Sequence, residues 1–183
     1  AVDAFSLHAT GYLLKPVSRE RFFSEVNFAL EGKFEKQVKD SRVVVKTFGG
    51  FDVFIDGKLL PFRRSRSKEL LANLVDRRGS SVTAANAFST LFEDMDYNRS
   101  KQKQFYVIIH TLKETLSDYG ISDIFEMSGG TMRIVPEKID CDFYRFLDGE
   151  MAAISSFRGE YMTDYSWASV TEAFISRKTD IIL

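Results

Sequence analysis

Residues 99–119 hold the side chains best placed to do recognition chemistry. On a helix wheel Phe105, Ile108, Ile109, Leu112 and Leu116 fall at i, +3, +4, +7 and +11, one apolar face suited to a core. The opposite face collects Arg99, Ser100, Lys103, Val107, His110 and Thr111, with Gln104 and Tyr106 at its margins. Cations, hydroxyls and an amide on the N-terminal half of such a helix match phosphate oxygens and base edges in a DNA major groove. Val107 is of a kind to pack on a thymine methyl. Glu114 would repel phosphate, so the helix is expected to leave the duplex about there. The rival readings are a polar face that meets only water and a face that docks on a protein.

Two more cationic groups accompany this helix. The stretch "EMSGGTMRIV" reads as a hairpin carrying Ser128, Thr131 and Arg133. An arginine beside two adjacent glycines suits a narrow minor groove, where the potential attracts guanidinium, or else a solvated surface. The stretch "FRRSRSK" sets Arg63, Arg64, Arg66 and Lys68 at the entrance of a helix. Such a cluster either holds a phosphate backbone or pairs with the acidic loop Glu93-Asp94-Met95-Asp96-Tyr97. That loop lacks the alternation and central glycine of a calcium site, so no metal is expected there.

Nothing in the sequence has the spacing of a catalytic centre. There is no Walker loop, no HExxH and no nucleophile elbow, so the chain reads as a non-enzyme without a cofactor. His8 and His110 stand alone, and Cys141 reads as a small buried residue. Of 183 residues 44% are hydrophobic and the net charge is -1, so a nucleic acid must be served by a local patch. A single cysteine excludes an intramolecular disulfide and fits a reducing cytoplasm. No apolar run is long enough to span a membrane, and the N-terminus lacks a signal-peptide pattern.

The elements that must position these residues follow from periodicity. Residues 1–9 read as a helix, 12–16 as a strand, and 19–31 as an amphipathic helix with Phe22, Phe23, Val26 and Leu30 on one face. Residues 32–42 are charged and without apolar period. "VVVKTFGGFDVFIDGKLLPF" holds three short β runs, broken at Gly49-Gly50 and at the hairpin signal Asp56-Gly57. Helices are expected over about 67–78, from Thr83 through Phe88, Leu91 and Phe92, and over 100–119. The hairpin follows, and further helices are expected over 140–155 and 167–177.

A β meander, three helices and a hairpin in that order resemble the OmpR-like winged helix-turn-helix. "FGGFDVFIDGKLLPFRRSRSKELLANLVDRRG" and "HTLKETL" resemble the subclass found in SARP-type activators. "IDCDFYRFL" and "RGEYMTDYSWA" resemble the start of the tetratricopeptide-like bacterial transcriptional activator domain that follows it. "DAFSLHATGYLLKPVSRERFFSEVNFAL" resembles the last third of a response-regulator receiver, whose Lys-Pro closes the final strand. The expected fold is therefore α+β. A receiver remnant over 1–35 and a linker over 36–42 precede a winged helix over 43–136, and a helical domain begins at 137–183.

The resemblance implies a sequence-specific transcriptional regulator of a two-component phosphorelay, with double-stranded DNA as partner. Helix 100–119 would lie in the major groove and the 124–135 wing near the minor groove. It also implies polymerase contact through the loop from Glu93 to Asn98, and a sensor kinase only in a full-length protein; a homodimer stays open. Lys15 would be the phosphate-sensing lysine of a receiver whose acceptor aspartate is missing. The first residue is Ala1 and the last three are Ile181, Ile182 and Leu183, so both ends are expected to be cuts in a longer chain.

Phosphoryl transfer needs an acceptor aspartate and a magnesium held by further carboxylates. Before Lys15 the only acid is Asp3, in a stretch that reads as helix. Incubation with acetyl phosphate and magnesium should leave the intact mass unchanged; a stable phosphoryl adduct on a carboxylate would overturn this reading of residues 1–35.

Overall fold

The computed structural model describes residues 41–92 and 98–182. The receiver-like segment with Lys15 and the acidic loop 93–97 lie outside the described residues. From Ser41 onward the chain forms one compact unit of mixed α+β architecture.

It starts with a β meander. Strand β1 (Val43–Lys46) turns Val43 and Val45 inward, and β2 (Asp52–Ile55) pairs with it antiparallel, Val43 opposite Ile55. Asp56 and Gly57 both take positive φ, at 49° and 77°. Two successive positive φ values define the tight hairpin turn that sends the chain into β3 (Lys58–Leu59).

Helix α1 (Ser65–Asp76) begins two residues before the expected start, because the extended Arg64 is its N-cap and its carbonyl accepts from Ser67 N at 3.1 Å and Lys68 N at 3.3 Å. It buries Leu70, Leu71, Leu74 and Val75 and ends at Asp76, after which Arg78 and Gly79 both take positive φ, at 54° and 84°. After β4 (Val82–Thr83), Thr83 caps α2 (Ala84–Leu91), its hydroxyl accepting from Asn86 N at 3.2 Å. Helix α3 (Arg99–Asp118) then crosses both. Phe88 stacks on Phe92 at 4.7 Å and meets the edge of Phe105 at 5.7 Å, tying α2 to α3. Ser67 donates to Ile108 O at 3.2 Å, tying α1 to the middle of α3. Strands β5 (Phe125–Ser128) and β6 (Thr131–Ile134) form the hairpin, and β6 also pairs with β4, giving the sheet order β4-β6-β5.

The segment after residue 136 departs from expectation. In place of one helix over 140–155 there is a short strand β7 (Asp140–Cys141), helix α4 (Asp142–Leu147) and helix α5 (Met151–Ser156). Gly149, with a φ of 83°, breaks the run between the two helices. Strand β7 pairs parallel with β1, completing a sheet of order β3-β2-β1-β7. Helix α6 (Ser169–Ile182) follows, where a helix over 167–177 was expected. No helix among the described residues is long and apolar enough to cross a membrane.

A buried carboxylate joins these parts. Asp142 accepts from Thr47 N at 2.9 and 3.0 Å, from the Thr47 hydroxyl at 2.6 Å, from Phe48 N at 3.2 Å and from Phe143 N at 2.8 Å. Two tyrosines extend the junction to the end of α1. Tyr144 donates to Val75 O at 2.7 Å and Tyr161 donates to Asp76 Oδ1 at 2.9 Å. Burial, reinforced by nearby acids, drives both phenols well above their ordinary range and keeps them as donors. Burial does the same to the Cys141 thiol, with Asp142 adding to it, so Cys141 stays a neutral, packed side chain.

Asp142→Ala leaves two amides of the β1 exit and the Thr47 hydroxyl without their acceptor. It should destabilise the protein by about 3 kcal/mol in urea denaturation, since bonds to a charged group contribute about 1.5–3 kcal/mol each and are not additive. A loss under about 0.5 kcal/mol, the range of ordinary surface substitutions, would show that these donors are satisfied elsewhere.

Candidate nucleic-acid interface

Helix α3 starts with a side-chain cap. Asn98 Oδ1 accepts from Ser100 N at 3.1 Å and from Lys101 N at 3.0 Å, satisfying two amides that a helix start leaves open. From there Phe105, Ile108, Ile109, Leu112 and Leu116 are all buried, as their spacing required. Arg99, Ser100, Lys103, Gln104, Tyr106, Val107 and His110 are all exposed. Tyr106 keeps 44% and Val107 48% of its surface open, so this face leaves large apolar groups in water beside its cations.

Thr111 does not belong to that face. It is 7% exposed, and its hydroxyl donates back to Val107 O at 2.8 Å. The residue sits at the edge of the wheel, where a β-branched side chain is tucked under its neighbours and its hydroxyl bonds the carbonyl four residues back. Thr115 repeats the arrangement with Thr111 O at 2.8 Å.

The C-terminal half of α3 is acidic, and its charge is taken up locally. Arg63 bonds Asp118 at 2.7 Å and lies 4.0 Å from Glu114, while His110 Nδ1 lies 3.4 Å from the same Glu114 oxygen. The rest of the basic cluster divides in two. Lys68 pairs with Asp52 at 2.9 Å. Arg66 bonds Glu69 at 2.6 Å and Leu91 O at 2.9 Å, with its guanidinium 4.7 Å from the Phe92 ring centroid. The Arg64 side chain is exposed and makes no hydrogen bond or ion pair with the described residues. Arg66 thus holds α1 to the end of α2, and Arg64 remains open to a ligand.

In the hairpin, Gly129 and Gly130 take φ of 58° and 77°, the conformation its two-residue turn needs. Thr131 donates to Ser128 O at 2.8 Å, and Arg133 pairs with Glu126 across the strands at 2.7 Å. Both residues therefore already have partners inside the hairpin. Two polar residues beside the face were not singled out as site residues. Asn98 fixes the helix start, a role signalled by an amide residue just ahead of a helical pattern. Lys101 adds a half-buried cation to the first turn. Among the described residues no group of His, Cys, Asp and Glu is arranged to hold a metal ion.

The chain is similar in fold to EmbR. The solved structure is Mycobacterium tuberculosis EmbR in complex with a low affinity phosphopeptide, matched with a TM-score of 0.64 at 17% identity over 78% of this chain. The match covers 44% of EmbR, so this chain spans less than half the length of that neighbour. At this identity the likeness speaks for the fold. No protein-family model matches the chain, nor does any curated protein sequence.

The two arginines should separate cleanly in a thermal melt. Arg66→Ala leaves the nearly buried Glu69 without its cation and should lower stability by about 1 kcal/mol. Arg64→Ala should leave the melting temperature unchanged; a drop equal to that of Arg66→Ala would give Arg64 a structural role.

Proposed function

We propose that residues 43–136 are a winged helix-turn-helix DNA-binding domain of a SARP-type transcriptional regulator. In this reading α3 is the recognition helix in the major groove, and the β5–β6 hairpin is the wing near the minor groove. The observation that carries it is the outward face of α3. Arg99 and Lys103 project from its first half without an ion-pair partner among the described residues, beside exposed Tyr106 and Val107. Free cations beside apolar groups suit phosphates and thymine methyls together. The likeness to EmbR, whose fold this chain shares, fits that reading.

The finer parts of the proposal rest on sequence resemblance. Residues 137–183 are the start of a helical activator domain, 1–35 the remnant of a receiver in a two-component system, and loop 93–98 a polymerase contact. The protein works in the cytoplasm. Within the DNA site, Arg99, Ser100, Lys103, Gln104, Tyr106, Val107 and His110 act from α3, Arg64 from the entrance of α1, and Thr131 and Arg133 from the wing. Thr111 is left out for its burial, and Arg66 for its bonds to Glu69 and Leu91.

Binding to duplex DNA should be strongly salt-dependent despite the net charge of -1. With about 4 phosphates neutralised, log affinity should fall against log salt with a slope of about -3.6 in fluorescence anisotropy. Lys103→Ala should weaken a selected site more than random duplex, because a base-edge contact discriminates by about 1–3 kcal/mol. Arg133→Ala should weaken both alike. A slope near zero, or no binding at low salt, would favour a protein-docking role for the α3 face.

A further inference from the structure

Arg42 immediately precedes β1, yet its side chain reaches the far end of α3. Its Nη1 donates to Gly120 O and its Nη2 to Tyr119 O, both at 3.2 Å, while its Nε donates to Asp56 Oδ2 at 3.1 Å. Its own carbonyl accepts from Asp56 N at 3.0 Å. One guanidinium thus joins three places: the entry to the meander, the β2–β3 turn and the C-terminus of α3. We infer that Arg42 is a positioning residue for the recognition helix, setting the angle at which α3 presents its outward face. The inference rests on the DNA-binding reading of that face.

The physical case begins with the helix end. The last carbonyls of a helix lack intrahelical donors and carry a partial negative charge, which a cation there offsets. Helix α3 has no basic residue in its own last turn. Arg42 supplies that cation from outside the helix, its planar fork bonding the carbonyls of the C-cap Tyr119 and of Gly120 just past the last helical residue, Asp118. The fork is held from behind by Asp56, whose backbone is fixed by the turn at a φ of 49°. Gly120, at a φ of 65°, turns the chain out of α3 and carries one of the two carbonyls that the fork holds. Arg63 grips the same end from the side through Asp118.

The lever arm gives this contact its weight. A 20-residue helix is about 30 Å long, so a tilt of about 5° about its middle moves either end by about 1.3 Å. Such a displacement takes a hydrogen bond from its optimum to beyond 3.6 Å, where it no longer counts as one. Contacts with phosphates, made by long flexible side chains to a point charge, tolerate the same shift. Loosening the clamp should therefore cost discrimination more than overall affinity.

The test uses the whole chain with Arg42→Met, which keeps the stem and removes charge and donors, and Arg42→Lys, which keeps the charge. Amide exchange at Gly120 and Ile121, whose N–H groups close the helix on Ser117 O and Leu116 O, should quicken about 2- to 5-fold in Arg42→Met, with Arg42→Lys in between. A duplex selected by the wild type from a random pool should lose preference over the unselected pool by a similar factor. The salt slope should stay unchanged, because no phosphate contact is lost; a slope reduced by about 1 would make Arg42 a phosphate ligand and overturn the inference. Unchanged exchange would overturn it as well. If the wild type binds no duplex, the DNA-binding reading and the role of Arg42 in presenting that face fail together. Quickened exchange in Arg42→Met would then support only the clamp on the end of α3.

Discussion

The rest of the structure hangs on how Asp142 holds the exit of β1. A carboxylate accepting from two backbone amides of the outgoing chain, one hydroxyl and its own helix start fixes both direction and register at that point. With β1 so fixed, β7 lies alongside it and Tyr161 is brought against Phe48 and Phe143. From there its hydroxyl reaches the end of α1. The meander, the three helices and the C-terminal segment thus share one anchor, and α1 in turn seats α3.

Charge is sorted along α3 by what its neighbours supply. The acids of the second half face Arg63, so their field is damped before it reaches the first half. The cations of the first half face no acid among the described residues. A chain with nearly balanced total charge can in this way keep one positive surface, and the balance elsewhere suppresses indiscriminate attraction to polyanions. The hairpin follows the opposite rule: Arg133 is already paired with Glu126, so any engagement there exchanges one partner for another.

Sequence pattern resolved the parts of this fold whose period is long and regular. The apolar face of α3 repeats over three turns, and the Asp56-Gly57 and Gly129-Gly130 pairs announce turns that demand positive φ. Thr111 was misplaced because a wheel gives an angle and no depth; only packing shows that a threonine at the margin is covered. The cluster at 63–68 looked uniform because sequence lists charges without partners, and three of its four cations proved to hold other elements in place. Strand β7 could not be read, being two residues long and defined wholly by a partner strand distant in sequence. The break at Gly149 was signalled by an Asp-Gly pair and was overridden by the helical texture around it.

The pairing of β1 with β7 also sets a schedule for the molecule's birth. Thr47 and Asp142 are 95 residues apart in the chain. At about 5–20 residues per second, a ribosome needs roughly 5–20 s to go from one to the other. Through that interval the parallel side of β1 has no strand to pair with. A meander that closes before then carries an open edge until one of the later parts of the domain is made.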